Sequence, residues 1–402
     1  MAIKESSDGM NATPEGERIR VAFFGRRNTG KSSLVNAIAG QPVSIVSDVP
    51  GTTTDPVRKA MEMLPLGPVL LVDTAGIDDD QADVGGLRME RARAELRSAD
   101  IVIVVSDADT LAGAYETELI DKLRRSGIAF LFVVNKIDAM PESVEALSRI
   151  AAQISAPVYA VSAKTGEGVP ELKNAIASVK PDEPPGRRIV GDMLSPGDMV
   201  VLVVPVDSAA PKGRLILPQQ QTIRDILDSG CVAVMSQVPQ LADTLALMRK
   251  PPRMVVTDSQ VFAEVRAVVP PEVELTSFSI LFARYKGDFE VLKAGTAAID
   301  KLVDGDIVLI AEGCTHHRQC DDIGTVKIPK WLSEFTGKKL EYEFTSGIGW
   351  PKELSKYALI IHCGGCMLAR RELRVRISEA EAAGVPIANY GLLIAKLKGV
   401  PV

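Results

Sequence analysis

Two residue types that carry much of protein chemistry are scarce in this chain. Among 402 residues there are three histidines and five cysteines. Five cysteines, four of them close to the histidines, do not make the framework of a small disulfide-held scaffold; they read as metal ligands in a reducing compartment. A positive surplus is also missing. The formal charge is −6, which argues against a broad nucleic-acid footprint. The first 17 residues hold no apolar stretch of the kind a secretory signal needs. No apolar run reaches the roughly 18 residues of a membrane span. These absences lead to the expectation of a cytoplasmic protein with no membrane and no nucleic-acid partner. One local basic run, Arg370, Arg371, Arg374 and Arg376, reads as a solvated helix face.

What is present falls in two places. All three histidines and four of the five cysteines lie between Cys314 and Cys366, as Cys314, His316, His317, Cys320, His362, Cys363 and Cys366. Far upstream, Gly25 to Ser33 read GRRNTGKSS. With 46% apolar and 24% charged residues the chain is ordinary globular protein, and its length calls for two or three cores.

From 18 to 180, short β-branched runs (Arg20–Gly25, Val69–Asp73, Ile101–Ser106, Phe130–Asn135, Val158–Ser162) alternate with helical stretches, the mark of an α/β domain with a parallel sheet. The segment PDEPPGRR, Pro181 to Arg188, reads as a linker because its prolines suit neither helix nor central strand. A small α/β region follows over 188–270, with strands at Met199–Val204, Val232–Met235 and Arg253–Thr257 and helices at Gln219–Asp228 and Val238–Arg249. It holds no convergent polar cluster. Its lone Cys231 reads as a small packed side chain, and the region as one for dimerisation. Pro270–Pro271 marks the next boundary. Over 271–402 strands are expected at Thr276–Phe282, Asp306–Ala311 and Tyr357–Ile361, with helices near Thr296–Val303 and Met367–Ala383. The cysteine groups follow two different strands, and carboxyl ends of strands are where ligands gather in open α/β sheets.

The upstream motif has the form of a phosphate-binding loop: Gly25, four residues, then Gly30, Lys31 and Ser32, between a strand and a helix. Backbone amides from Asn28, Thr29 and Gly30 through Ser33 would cradle phosphates, Lys31 would reach the β- and γ-phosphates, and Ser32 would ligate Mg2+. Asp73 and Gly76 of the string DTAG would serve the magnesium and the γ-phosphate. Asn135, Lys136 and Asp138, with Ser162, Ala163 and Lys164, form the base-reading pair of motifs. The Asp138 carboxylate accepts from guanine N1–H and the exocyclic amine, so GTP is the expected nucleotide. Ile77 stands where Ras-type enzymes hold a water-positioning glutamine, so intrinsic hydrolysis is expected to be slow; Asp78, Asp79 or Asp80 is the alternative positioner.

The strings GRRNTGKSS and GTTTD, Gly51 to Asp55, resemble the potassium-activated GTPases typified by the tRNA-modification GTPase MnmE. That resemblance implies a K+ ion held by Asn28 beside the phosphates, and Thr53 closing on Mg2+.

For the downstream cluster, chemistry alone leaves a CxxC redox pair, a structural zinc site and an iron–sulfur cluster open. The spacing CxH…HCxxC, with 45 residues between His316 and His362, lies beyond a GTPase domain and a middle domain. This arrangement resembles the HydF family of FeFe-hydrogenase maturation GTPases. The resemblance implies a 4Fe-4S cluster on Cys314, Cys363 and Cys366, with His316, His317 or His362 at an exchangeable fourth site. It further implies a homodimeric scaffold that receives a transient di-iron subcluster precursor from radical-SAM maturases and passes it to the FeFe-hydrogenase apoprotein. The alternative is a GTP-regulated RNA-modification protein that uses the cluster for redox chemistry.

Overall fold

The structure, a computed structural model, describes residues 13–40, 56–74, 92–107, 112–139, 144–179, 187–205, 215–313, 322–347 and 349–400. Thr53, Gly76, Ile77, Asp78, Asp79, Asp80, Cys314, His316, His317, Cys320 and most of the expected linker lie outside the described residues. The chain divides into two compact units, Met1–Glu183 and Pro184–Val402.

The first unit is built on a six-stranded sheet in the order β2-β3-β1-β4-β5-β6. The strands are β1 Ile19–Phe24, β2 Val57–Met63, β3 Gly67–Asp73, β4 Ile101–Asp107, β5 Ala129–Asn135 and β6 Val158–Ala160. β1 and β4 are apolar almost throughout because helices cover both faces of the sheet. Val21, Phe23, Ile101 and Ile103 pack on one side, Phe24, Val102, Val104 and Phe132 on the other. Burying one such side chain stabilises the fold by about 1.5–3 kcal/mol. All pairings are parallel except β2 with β3. β2 reads VRKAMEM and alternates between half-buried and exposed along an edge, which is why its signal in the sequence is weak. β1 lies between β3 and β4, so the strand order reverses there and opens a crevice at the carboxyl end of β1.

The second unit holds two four-stranded sheets. The first is β10-β9-β7-β8, from β7 Met199–Val203, β8 Val232–Ser236, β9 Met254–Thr257 and β10 Glu274–Ser277. The second is β12-β11-β13-β14, from β11 Ile307–Glu312, β12 Glu341–Ser346, β13 Leu359–His362 and β14 Ile387–Asn389. Every pairing in both is parallel. The two sheets have the same winding: the first strand of each is flanked by the second and third, and the fourth lies outside the third. One core joins them, with Val201, Val255 and Leu275 from the first sheet and Leu309, Ile360 and Ile387 from the second.

Three expectations are corrected here. The stretch Thr276–Phe282 is not a strand of the last sheet. β10 ends at Ser277, pairs with β9 of the preceding sheet, and gives way to a helix, Phe278–Lys286. Ser277 caps that helix by accepting from the Ile280 amide. Because Phe278, Ile280, Leu281, Phe282 and Ala283 are all buried, no amphipathic period sets the helix apart from a strand. The expected helix at 296–303 is displaced: Phe289–Thr296 is helical and Ala297–Lys301 is a 3-10 turn. The interior Gly295 masks it in the sequence, yet a Cβ there would stand 1.9 Å from the Ile387 carbonyl oxygen, so close helix–strand packing requires glycine. Finally, Arg376 is fully buried rather than part of a solvated face.

Candidate functional site

The nucleotide motifs converge at the crevice beyond β1. A Cβ at Gly25 would lie 2.1 Å from the Val105 carbonyl oxygen, so only glycine lets β1 turn this close to β4. Asn28 and Gly30 take left-handed backbone conformations, φ 61° and 85°, and the helix Lys31–Ala39 begins at once. Its first amides point into the turn, the arrangement that receives phosphate. Lys31 is buried and lies across the loop, its ammonium donating to the carbonyls of Gly25 at 2.9 Å and Arg26 at 2.6 Å. The Thr29 hydroxyl donates to the Arg26 carbonyl at 3.1 Å. At the end of β3, the Ser32 hydroxyl donates to Asp73 Oδ2 at 2.6 Å, so the two groups expected at magnesium are already in contact.

The base-reading motifs are tied to the same loop. Asn135 at the end of β5 donates from Nδ2 to the Thr29 carbonyl at 2.9 Å and accepts at Oδ1 from the Ala163 amide at 3.0 Å. One side chain thus braces the phosphate loop against the 162–164 turn. A Cβ on Gly30 would come within 2.3 Å of Asn135 Nδ2, a second reason for glycine there. The Ser162 hydroxyl donates to Asp138 Oδ1 at 2.7 Å and accepts from the Thr165 amide at 3.1 Å, which orients the carboxylate. Lys136, with φ 64°, pairs with Asp107 at 3.4 Å. Asn28 is exposed on the loop, and Ser33 and Lys164 take their places in the helix and the turn.

The cysteine site occupies the switch point of the second sheet of the other unit. β11 and β13 are neighbours in register, Ala311 opposite His362, and the chain leaves β11 on one side for β12 and returns on the other. Gly313, the residue before Cys314, donates its amide to Cys363 Sγ at 3.0 Å, and the Gly365 amide lies 3.4 Å from the same sulfur. Cys363 as a residue is half-buried, with its sulfur turned toward these amides. Desolvation pushes the Cys363 thiol up to about 11, against the pull of the two amides. Burial also raises Cys366, while Lys286 draws it back.

His362 is deeply placed. Its Nε2 lies 3.2 Å from Nη1 of Arg376, which can only donate, so Nε2 accepts and the protonated Nδ1 donates to the Cys363 carbonyl at 2.8 Å. Burial first, and the Arg376 charge second, lower its pKa to about 3. The imidazole is therefore neutral, with both nitrogens engaged. Arg376 in turn donates to Glu372 Oε1 at 2.9 Å and the Gly347 carbonyl at 2.8 Å, and stacks 5.1 Å from the Trp350 ring. Sequence reasoning missed Arg376, Glu372, Trp350 and Lys286. Only the Arg376 spacing from Glu372, four residues on a helix, was a visible signal. Cys231 is buried with its sulfur 3.1 Å from the Ser195 carbonyl and packs among apolar side chains. Among the described residues no group of three potential ligands forms a metal centre, and no helix is long and apolar enough to cross a membrane.

Comparison with known proteins covers both units. Residues 20–136 match the family of 50S ribosome-binding GTPases. The tRNA modification GTPase MnmE of Shewanella amazonensis is 37% identical over 167 residues, 40% of this chain and 36% of the relative. Its counterpart from Synechococcus is 37% identical over 181 residues, 44% and 38% of the two chains. This chain therefore spans little more than a third of the length of these curated relatives. Among solved structures, Era of Aquifex aeolicus is 20% identical with a TM-score of 0.37, covering 54% of this chain and 92% of that one. The G domain of the T. maritima iron transporter FeoB is 25% identical with a TM-score of 0.30, covering 40% and 96%. Residues 189–287 match the hydrogen maturase F dimerization domain and residues 290–401 the hydrogen maturase F tetramerization domain. Two adjoining models of one family thus take in nearly all of the second unit behind a GTPase domain, and the chain belongs to the hydrogen maturase F family.

Proposed function

We propose that this protein is a GTP-hydrolysing scaffold that carries a 4Fe-4S cluster on Cys314, Cys363 and Cys366 and hands a di-iron subcluster precursor to FeFe-hydrogenase during its maturation. The observation that carries the cluster half is the contact at the switch point. The amide of Gly313 reaches Cys363 Sγ, and Cys314 is the next residue in the sequence. Amides aimed at sulfur, glycines flanking the thiols and a closely packed surround suit a thiolate-ligated cluster, for which the donor set is apt. When bound, the cluster supplies a fourth iron site to which a foreign ligand can attach. Both nitrogens of His362 are engaged in the protein, which leaves His316 and His317 as the candidates for that fourth position, and His362 would serve to hold the Cys363 backbone.

In the first unit, Lys31 would leave its two loop carbonyls for the β- and γ-phosphates, and Ser32 and Asp73 would open to admit Mg2+. Thr53 and the Gly76 amide would serve the magnesium and the γ-phosphate. Asn28, exposed beside the loop, would supply an oxygen to a K+ ion, whose charge would offset that developing on the phosphates. Without a glutamine after Gly76 the turnover is slow, so the nucleotide acts as a switch. The middle module associates through its β8 edge, where Val232 and Met235 are exposed at 48% and 44%. Radical-SAM maturases and the hydrogenase apoprotein are the partners in this reading.

The test is anaerobic reconstitution with iron and sulfide analysis and EPR of the reduced protein, wild type beside Cys363→Ser. A wild type with near four irons and four sulfides, and a variant with neither, is the expected result; a wild type without sulfide sinks the reading.

A further inference from the structure

A buried cation joins the two sheets of the second unit at the cysteine loop. Lys286 is the last residue of the helix Phe278–Lys286 and is fully buried. Its ammonium donates to the Cys366 carbonyl at 2.9 Å and the Leu368 carbonyl at 2.8 Å, and lies 5.9 Å from the centre of the Phe282 ring. Removing an ammonium from water is costly unless its donors are satisfied, so this position is held only because the loop presents carbonyls to it. The helix lies in the stretch matched by the dimerization domain, and the cysteines lie in the stretch matched by the tetramerization domain. The same helix also lines the cysteine loop with Phe278, Leu281 and Phe282, against which Cys366 packs. The nucleotide chemistry makes no use of this lysine.

We propose that Lys286 is a positioning residue of the cluster site: it holds the turn that carries the Cys366 thiolate, and its charge stabilises the reduced, more negative cluster. The inference rests on the cluster reading above. A thiolate-ligated cluster gains negative charge on reduction, and a fixed cation in a poorly screened surround favours that state.

The experiment uses the full-length protein, reconstituted anaerobically as wild type, Lys286→Met and Lys286→Arg, with Cys363→Ser as the cluster-free control. Iron and sulfide content and an EPR-monitored redox titration are read for each. Lys286→Met is expected to lower the midpoint potential and to lose up to about half of its iron, while Lys286→Arg stays close to wild type in both. A methionine variant with the wild-type potential overturns the proposal, as does an arginine variant shifted as far as the methionine one. Should the methionine variant hold no cluster, arginine decides: cluster retained at the wild-type potential supports the role, and cluster lost overturns it. A wild type that binds no cluster defeats the cluster reading and this inference together, and is recognised before any variant is compared.

Discussion

The two sites sit at equivalent places, the carboxyl ends of strands where a parallel sheet reverses its order, yet they are prepared for their ligands in opposite ways. The phosphate loop is held by backbone geometry. Glycines at 25 and 30 allow the close approach, Asn135 braces the turn, and the buried Lys31 rests on carbonyls that it could exchange for phosphate. Its ligand arrives with its own negative charge. The cysteine loop is held by fixed cations, Lys286 beneath Cys366 and Arg376 behind His362, and burial raises the pKa of the Cys363 and Cys366 thiols, so both are neutral thiols as they stand. On the proposed function, binding in the first unit would reorganise a lysine, whereas binding in the second would require deprotonation of buried thiols.

The sharpest way to separate the two is to remove a thiol. Cys363→Ser is expected to abolish cluster content, read by iron and sulfide analysis, while GTP hydrolysis stays within about twofold of wild type. A loss of hydrolysis in the same variant would mean the chemistries are not separable.

Acid should also tell the two apart. The folded-state pKa of His362, about 3, lies below the 6.5 of an unfolded imidazole. A base with a lowered pKa binds its proton preferentially when unfolded, so this group's contribution to the stability of the metal-free protein is lost as pH falls from about 6.5 toward 3 and is fully present above that window. The slope attributable to this group is about 1.4 kcal/mol per pH unit. Urea unfolding at pH 7, 6 and 5 is expected to show a loss of stability that steepens toward this slope between pH 6 and 5 in wild type and is missing in His362→Gln; equal pH dependences would remove the buried-histidine account.

Smaller effects are expected in the nucleotide site. Asp138→Ala should weaken GTP binding by about 30-fold, the equivalent of about 2 kcal/mol for a charged hydrogen bond to the base, with a fluorescent guanine nucleotide as the readout. Asn28→Ala should lose most of the difference between hydrolysis in potassium and in sodium. Equal wild-type rates in the two salts would exclude the ion. The gentlest test lies at the β8 edge. Met235→Lys should shift light scattering of the full chain toward smaller species at micromolar concentration, without changing nucleotide affinity.

Much of the nucleotide site was legible because its parts are short contiguous strings whose spacing is set by one turn and one helix. GRRNTGKSS, DTAG, NKID and SAK are placed by the strand that precedes each. The cysteine site was legible only in composition and order. That Cys363 and Cys366 follow a strand could be read, but nothing in the chain announces Lys286, which looks like an ordinary basic residue in the last turn of a helix. Arg376 is the same lesson reversed: written among other arginines it reads as surface, and it is among the most deeply buried side chains in the protein.

By itself the sequence determined the classes of chemistry and the strands that carry them, because phosphate loops and thiol groups depend on residue type and local spacing. Tertiary structure decided what lies behind those residues. It moved Glu274–Ser277 into the preceding sheet, turned the following apolar run into a helix, and delivered the ammonium of Lys286 beneath a loop about 80 residues further on. Such pairings are not local. Desolvating a cation is tolerated only where distant carbonyls converge on it, and that convergence exists only once the sheets have packed.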